Sequence, residues 1–246
     1  MKLAQIQNYC RESLFDSIEL NLNDGSFISP ATSVILGAMS IISQIQGKKF
    51  KFNIINASEK ANPNDIPFTQ IKEKDDIDNV VDNIMRLAPI RMTEEARGLL
   101  VSKFYELFVN AFDHADSDIG VFCCGHWILE NRMLVFSVYD AGIGIPHNVR
   151  KFLNNPYLNT EDTLRWAFVS GNTTKEGIVD YPRGLGLNEL ENFVNLNHGK
   201  INLYSSDGYC FIEDANRTFG RMELQFLGTI FIMNVVADDD HIYVVE

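Results

Sequence analysis

The sequence lacks an excess of basic residues. Its 246 residues include 21 Lys and Arg against 33 Asp and Glu, which gives a formal net charge of -12 at pH 7. A nucleic-acid surface needs a positive field that displaces counterions from the phosphate backbone, so this balance argues against nucleic acid as a partner. Binding of a single anionic nucleotide stays compatible with this net charge, because a bound cation and backbone N–H groups make the electrostatic potential positive at one site.

Long apolar runs and paired cysteine motifs are also missing. The longest apolar-rich stretch, Ser33 to Ile45, is too short and too interrupted to span a bilayer, and the first residues do not follow a signal-peptide pattern. None of the four cysteines belongs to a C-x-x-C motif, so reduced thiols are expected. These cysteines are Cys10, Cys123, Cys124 and Cys210. Together the absences favour a cytoplasmic protein with no membrane partner.

The composition is otherwise that of an ordinary globular protein, with 46% hydrophobic and 22% charged residues. Residues 1–90 are predicted to form a small α/β module. Its strands are expected over 17–22 and 50–55, with a helix over 32–46 between them, which is a βαβ-like order. A loop over 56–67 and an amphipathic helix over 75–87 are predicted to lead into the second part.

This first part resembles the STAS-like domains that accompany bacterial signalling ATPases, through its order of elements and the run 27–33 that enters a helix. In STAS switch proteins a serine or threonine at such a helix start can be phosphorylated. The corresponding positions here are Ser29, Thr32 and Ser33. Alternatively these residues only cap the helix, a routine role for Ser and Thr, and we favour the cap.

A long helix is predicted from Thr93, with acidic residues in its first turn. Its apolar residues gather on one side, and Glu106, Asn110 and Asp113 gather on the other. A carboxylate and a carboxamide one turn apart can present oxygens to a metal ion or a water molecule together. Considered alone, the segment is better interpreted as a solvated polar stripe on an amphipathic helix.

Glycine-containing segments follow a pair of strands predicted over 118–124 and 133–139. The second strand runs into Asp140-Ala-Gly-Ile-Gly-Ile-Pro146. Asp140 could accept a hydrogen bond from an exocyclic amine, and Gly142 and Gly144 would leave room for a flat ring. By itself this D-x-G-x-G pattern indicates only a turn.

Two further segments have the composition of phosphate contacts. After a helix predicted over 160–169, the run 170–177 contains Thr173, Thr174 and Lys175 between glycines, which is typical of a mobile lid but also of a surface loop. Arg183-Gly184-Leu185-Gly186-Leu187 then enters a helix predicted over 188–196. Unpaired N–H groups at such a helix start form an anion site. Strands are predicted over 200–205, 209–213, 230–236 and, at an edge, 242–245.

Four motifs therefore stand in order: E-x-x-x-N-x-x-D-x-A at 106–115, D-A-G-I-G-I-P at 140–146, R-G-L-G-L at 183–187, and G-T at 228–229. Together they resemble the GHKL superfamily of ATPases, which includes gyrase B subunits, MutL, the ninety-kilodalton heat-shock chaperones, and histidine and anti-sigma-factor kinases. The resemblance covers roughly residues 93–236. It implies a Bergerat-type α/β sandwich (α+β), with a mixed sheet and helices on one face, over 91–246.

The resemblance also implies roles for individual residues. Asn110 would coordinate Mg²⁺ between the phosphates of ATP or ADP, and Glu106 would act as the general base or orient the attacking water. Asp140 would bind the adenine amino group, supported by Thr229. The remaining implied nucleotide contacts are Asp113, Gly142, Gly144, Thr173, Thr174, Lys175, Arg183, Gly184, Leu185 and Gly186.

The resemblance leaves three functions open. The first is ATP hydrolysis in which nucleotide-driven lid closure controls a protein partner or a second copy of the chain. The second is a protein serine kinase of the anti-sigma-factor kind, and the third is a non-catalytic nucleotide sensor. The helix over 75–87 contains no histidine, so a self-contained histidine kinase is not expected.

Overall fold

The computed structural model describes residues 2–12, 16–22, 29–54, 65–87, 91–128, 132–174, 186–236 and 242–244. Within these ranges the chain is a mixed α/β protein, as the sequence predicts. The helices are α1 (Lys2–Glu12), α2 (Pro30–Ile45), α3 (Ile77–Leu87), α4 (Glu94–Ala115), α5 (Ile145–Phe152), α6 (Thr160–Ala167) and α7 (Gly186–Leu196). The strands are β1 (Ser17–Leu22), β2 (Lys49–Ile54), β3 (Ile66–Ile71), β4 (Val121–Ile128), β5 (Met133–Asp140), β6 (Lys200–Glu213) and β7 (Asn216–Val236).

The central sheet has five strands in the order β3-β4-β5-β7-β6, and every neighbouring pair is antiparallel. The sequence predicted a mixed sheet. Parallel pairing occurs instead in a separate two-stranded sheet, where β1 pairs with β2 around the crossover helix α2. This pair is the βαβ-like unit expected in the first ninety residues.

Helices cover both faces of the central sheet, whereas the sequence predicted helices on one face. Side chains alternate along the strands, so Phe136 and Val138 of β5 join a core with α3, α4, α6 and α7. Tyr139, on the opposite face, joins a second core with α1 and α2. Cys123 and Cys124 likewise point to opposite faces, as their adjacency in a strand predicts.

Residues from the predicted first module take part in the central sheet. β3 pairs with β4 along one edge, and part of it lies in a segment predicted to be a loop. α3 packs on α4, and α2 packs on β4 and β5. The division of the chain at residue 90 stays a prediction, but elements on both sides of it share one sheet and its two cores.

Helix caps explain why two of the helices begin where they do. The Thr93 hydroxyl accepts the Ala96 N–H at 3.2 Å and starts α4. The Ser29 hydroxyl accepts the Thr32 N–H at 3.2 Å and starts α2. The capping interpretation of Ser29 is therefore confirmed.

The last described residues form an isolated parallel bridge rather than the predicted edge strand. Tyr243 accepts the Thr93 N–H at 3.0 Å and donates its own N–H to Arg91 at 2.9 Å, just before α4 begins. The four cysteines are buried free thiols, as predicted. None of the described helices is long and apolar enough to cross a membrane.

Candidate functional site

A pocket between α4, one end of the sheet and the start of α7 is lined by residues from all four motifs. Asn110 comes from the first motif, Asp140 and Gly144 from the second, and Thr229 from the fourth, while Leu187 ends the third. The pocket holds about 1020 Å³ of empty space, counting its open mouth.

Asp140 is the buried acid of this pocket. It ends β5 directly opposite Thr229 of β7, so the register of two antiparallel strands brings the second and fourth motifs together. The Asp140 carboxylate accepts the Gly142 N–H at 3.0 Å. Burial raises the pKa of Asp140 to about 7, although hydrogen bonds from Gly142 and Thr229 act in the opposite direction.

A hydroxyl pair supports the same end of the pocket. The hydroxyl oxygens of Thr229 and Ser205 lie 2.9 Å apart, and the Ser205 hydroxyl accepts the Ile145 N–H at 2.9 Å. These hydrogen bonds join β7, β6 and the N-terminus of α5 at the Ser205 hydroxyl. Gly228 has a φ of +80°, and a Cβ there would lie 1.9 Å from the Asp140 carbonyl oxygen. Glycine is therefore required before Thr229.

The loop after β5 packs against the C-terminal end of α4. Ile143 donates its N–H to the Ala115 carbonyl at 2.9 Å, and a Cβ on Gly142 would lie 2.1 Å from that same oxygen. Gly144 has a φ of +82° and precedes α5. Backbone geometry thus accounts for the presence of both glycines without a ligand. Of the two, only Gly144 lines the pocket.

Only part of the polar stripe predicted on α4 lines the pocket. Leu107, Asn110, Ala111 and His114 line the pocket, and Glu106 and Asp113 do not. Asp113 pairs with Lys74, in the 3₁₀ turn Lys74–Asp76 before α3. Its role as a nucleotide contact stays a prediction.

Glu106 lies one turn before Asn110 and is held by a lysine. Its carboxylate accepts a hydrogen bond from the Lys103 ammonium at 3.2 Å. Lys103 also pairs with Glu189, in the first turn of α7. The candidate base therefore has a cation as its partner, and its part in catalysis stays a prediction.

The predicted phosphate contacts are only partly within the described residues. Thr173 and Thr174 line the pocket, and the Thr174 hydroxyl lies 3.1 Å from Nδ1 of His114. Gly186 is the first residue of α7. The predicted contacts Lys175, Arg183, Gly184 and Leu185 lie outside the described residues.

Several lining residues were not assigned to the site from the sequence. Asn148 lies in α5, a helix that the sequence analysis missed, and its side chain donates to the His114 carbonyl at 2.7 Å. Trp166 of α6 and Asn172 also line the pocket. The signal for Asn148 was available, because Pro146 after Gly144 is a favourable start for a helix.

The pocket combines an apolar surface with one buried acid and several uncharged polar groups. Val138, Leu203 and Phe231 of the sheet supply an apolar surface beside the buried Asp140 carboxyl. Polar groups line the rest of the wall: the side-chain amides of Asn110, Asn148 and Asn172, and the hydroxyls of Thr173 and Thr174. No group of three or more His, Cys, Asp and Glu side chains suited to a metal occurs in the described ranges.

Comparison with known proteins does not place the chain in a family. No protein-family model matches it, and no curated protein matches it either.

Proposed function

We propose that this chain is a Mg²⁺-dependent ATP-binding protein that hydrolyses ATP, with the nucleotide bound between the central sheet and the helices α4 and α7. The observation that carries the proposal is the convergence of the motifs. Asn110, Asp140 and Thr229 are widely separated in sequence, yet they line one pocket together with Leu187. Chance matches to short motifs have no reason to meet in space.

The adenine ring is assigned to the Asp140 end of the pocket. The ionised carboxyl would accept a hydrogen bond from the exocyclic amine, and the apolar strand residues would contact the ring faces. The phosphates are assigned to the region between Asn110 and the N-terminus of α7, where N–H groups and the helix dipole favour negative charge.

The residues present fit a magnesium ion that is bound mainly by the nucleotide. Mg²⁺ takes one or two protein oxygens and completes its octahedral shell with phosphates and waters, so the Asn110 amide oxygen suffices. When bound, the ion neutralises phosphate charge during the reaction.

Glu106 is the proposed base for hydrolysis. It would accept a proton from a water molecule as the water oxygen bonds to the γ-phosphorus. The bond from that phosphorus to the β–γ bridging oxygen breaks, and its electron pair stays on ADP, so the products are ADP and phosphate. The position of Glu106, one turn before Asn110 on α4, supports this role.

A non-catalytic nucleotide sensor is the second candidate. It is favoured by the Lys103–Glu106 contact and by the absence of Glu106 from the pocket lining. A sensor would bind Mg·ATP and release no phosphate. Control of a protein partner, or of a second copy of the chain, belongs to either candidate and stays a prediction.

Binding and phosphate release, measured on the same samples, test the proposal. Wild type should bind Mg·ATP by calorimetry and release phosphate, and Asn110→Ala should weaken Mg-dependent binding at least roughly tenfold. Glu106→Gln should keep the binding and lower turnover by about 100-fold or more. Asn192→Ala and Glu95→Gln, at exposed positions of α7 and α4, serve as matched controls.

Each outcome decides between the candidates. Failure of wild type to bind adenine nucleotides overturns the proposal as a whole. Binding without turnover, or turnover that is equal in wild type and Glu106→Gln, removes hydrolysis by Glu106 and leaves the sensor.

A further inference from the structure

Lys103 is a buried cation shared by two carboxylates from different helices. Its side chain is 9% exposed, while those of Glu106 and Glu189 are 23% and 33% exposed. The ammonium donates to Glu106 at 3.2 Å along α4 and pairs with Glu189 across the gap to α7. Burying a lysine to this extent is unfavourable unless its charge is compensated, and here two carboxylates compensate it.

The electrostatics of this group depend on all three charges. Burial alone would lower the pKa of Lys103, but the hydrogen bond to Glu189 and the charge and hydrogen bond of Glu106 outweigh burial and raise it. Lys103 is therefore a permanent cation at neutral pH. Without it, two partly buried carboxylates would face each other with no positive charge between them.

The location of the group links two motifs. Glu106 begins the first motif, one turn before Asn110. Glu189 lies three residues after Gly186, the glycine of the third motif at which α7 begins. The Lys103 ammonium thus connects the helix that carries the candidate base to the helix whose start is assigned to phosphate.

We infer that Lys103 is a positioning residue for hydrolysis: its hydrogen bond holds the Glu106 carboxylate in place one turn before Asn110, and its pairing with Glu189 fixes that carboxylate relative to α7. This inference rests on the proposed function, because it assigns Lys103 to the water-activating step. Lys103 acts through Glu106 and does not line the pocket. Nucleotide binding should therefore be independent of it, whereas turnover should require it.

The test compares Lys103→Met, Lys103→Arg and the double variant Lys103→Met/Glu189→Gln. The double variant removes one charge of each sign, so it keeps the net charge of the group and still leaves Glu106 without its cation. Lys72→Met, at an exposed position before α3, is the matched control. For each protein we would measure the melting temperature, the Kd of a non-hydrolysable Mg·ATP analogue, and phosphate release from pH 5.5 to 8.5.

In the double variant we expect an unchanged Kd and turnover reduced roughly tenfold or more. The loss should be confined to turnover, because Glu106 has lost the hydrogen bond that positions it while the residues that line the pocket are unchanged. Lys103→Arg should restore most of the turnover, since it keeps the charge. A purely structural lysine would instead lower the melting temperature and leave the turnover of the folded protein unchanged.

Two failures are distinguishable in this experiment. If wild type releases no phosphate, the proposed hydrolysis is wrong and the inference falls with it. If turnover depends on Glu106 and the folded double variant keeps the wild-type rate, the inference alone is wrong. A Kd that weakens in parallel with turnover would also overturn it, because Lys103 would then act on binding.

Discussion

At the scale of single residues, Asp140 has the environment with the largest consequence for function. A carboxyl that is buried against β7 favours its protonated form, and its pKa of about 7 places the change of state in the physiological range. The proposed amine contact needs the ionised form. Burial therefore destabilises the ionised carboxylate in the free protein, and a ligand that donates a hydrogen bond to it would stabilise it.

The stability of the free protein should depend on pH through Asp140. Its folded-state pKa is raised, so its contribution to stability is present below about pH 4 and is lost as the pH rises to about 7. Between pH 5 and 8 the loss should be roughly 3 kcal/mol, because each pH unit within the window costs about 1.4 kcal/mol. Urea unfolding of wild type and Asp140→Asn at both pH values checks this.

Nucleotide affinity should show the opposite trend with pH. Binding should strengthen as the pH rises towards 7, since the ligand no longer has to displace a proton, and Asp140→Asn should bind weakly at every pH. Asp78→Asn, at an exposed position of α3, controls for the loss of a charge. An affinity of wild type that is flat from pH 5.5 to 8 would contradict the assignment of an amine to Asp140.

At the scale of elements, the contact of the loop after β5 with α4 decides the shape of the pocket. Gly142→Ala would introduce a Cβ 2.1 Å from the Ala115 carbonyl oxygen. The loop would have to move away from α4, at a cost of about 1–3 kcal/mol and with weaker nucleotide binding. Thermal unfolding and the Kd for Mg·ATP report the two effects.

Gly98→Ala is the matched control in the same part of the chain. Gly98 lies exposed within α4 and a Cβ there meets nothing within 4 Å. This substitution should stabilise the protein by about 0.5–1 kcal/mol, because alanine is the better helix former. Equal effects of the two substitutions would show that the loop does not depend on Gly142.

A buried glutamine of α1 forms hydrogen bonds to β5 and β7 on the face of the sheet opposite the pocket. Gln7 donates to the Tyr139 hydroxyl at 3.0 Å and accepts the Leu227 N–H at 2.9 Å. Tyr139 precedes Asp140, and Leu227 lies two residues before Thr229. The N-terminal helix is thus bonded to both strands that carry the proposed adenine site.

At the scale of the whole molecule, the central sheet lies between two cores, and the second core is built largely from the first ninety residues. A sheet covered on both faces has no free apolar face in this region. The N-terminal elements should therefore unfold together with the rest of the central sheet.

Ile35→Ala tests this cooperativity. Ile35 is fully buried in α2, and its truncation should cost about 2–5 kcal/mol. The loss should appear equally in far-UV circular dichroism and in the fluorescence of Trp127 and Trp166, which lie outside the first ninety residues. Ile45→Ala, at a 70% exposed position of the same helix, should change little.

Two transitions, with only one shifted by Ile35→Ala, would contradict the shared sheet and support independent units divided near residue 90. A single shifted transition would show that the two predicted parts form one cooperative unit.

The elements that the sequence predicted have strong local signals. α2, α3 and α4 follow a helical apolar period, and α4 begins at the predicted cap. The missed elements depend on tertiary contacts. β3 contains Pro67, which favours an edge position and weakens the strand signal. β6 continues past the turn-like Ser206 because its pairing with β7 resumes after register shifts.

The sequence by itself determined the elements with regular periodicity and predicted which residues would form a nucleotide site. Those signals are local, because helix and strand periods and turn chemistry act over a few neighbours. Only the tertiary structure decided that Asp140 meets Thr229 across two strands, that Asp113 pairs with Lys74 outside the pocket, and that Lys103 joins Glu106 to α7. These contacts depend on how the helices and strands pack against one another, and the spacing of residues along the chain does not specify them.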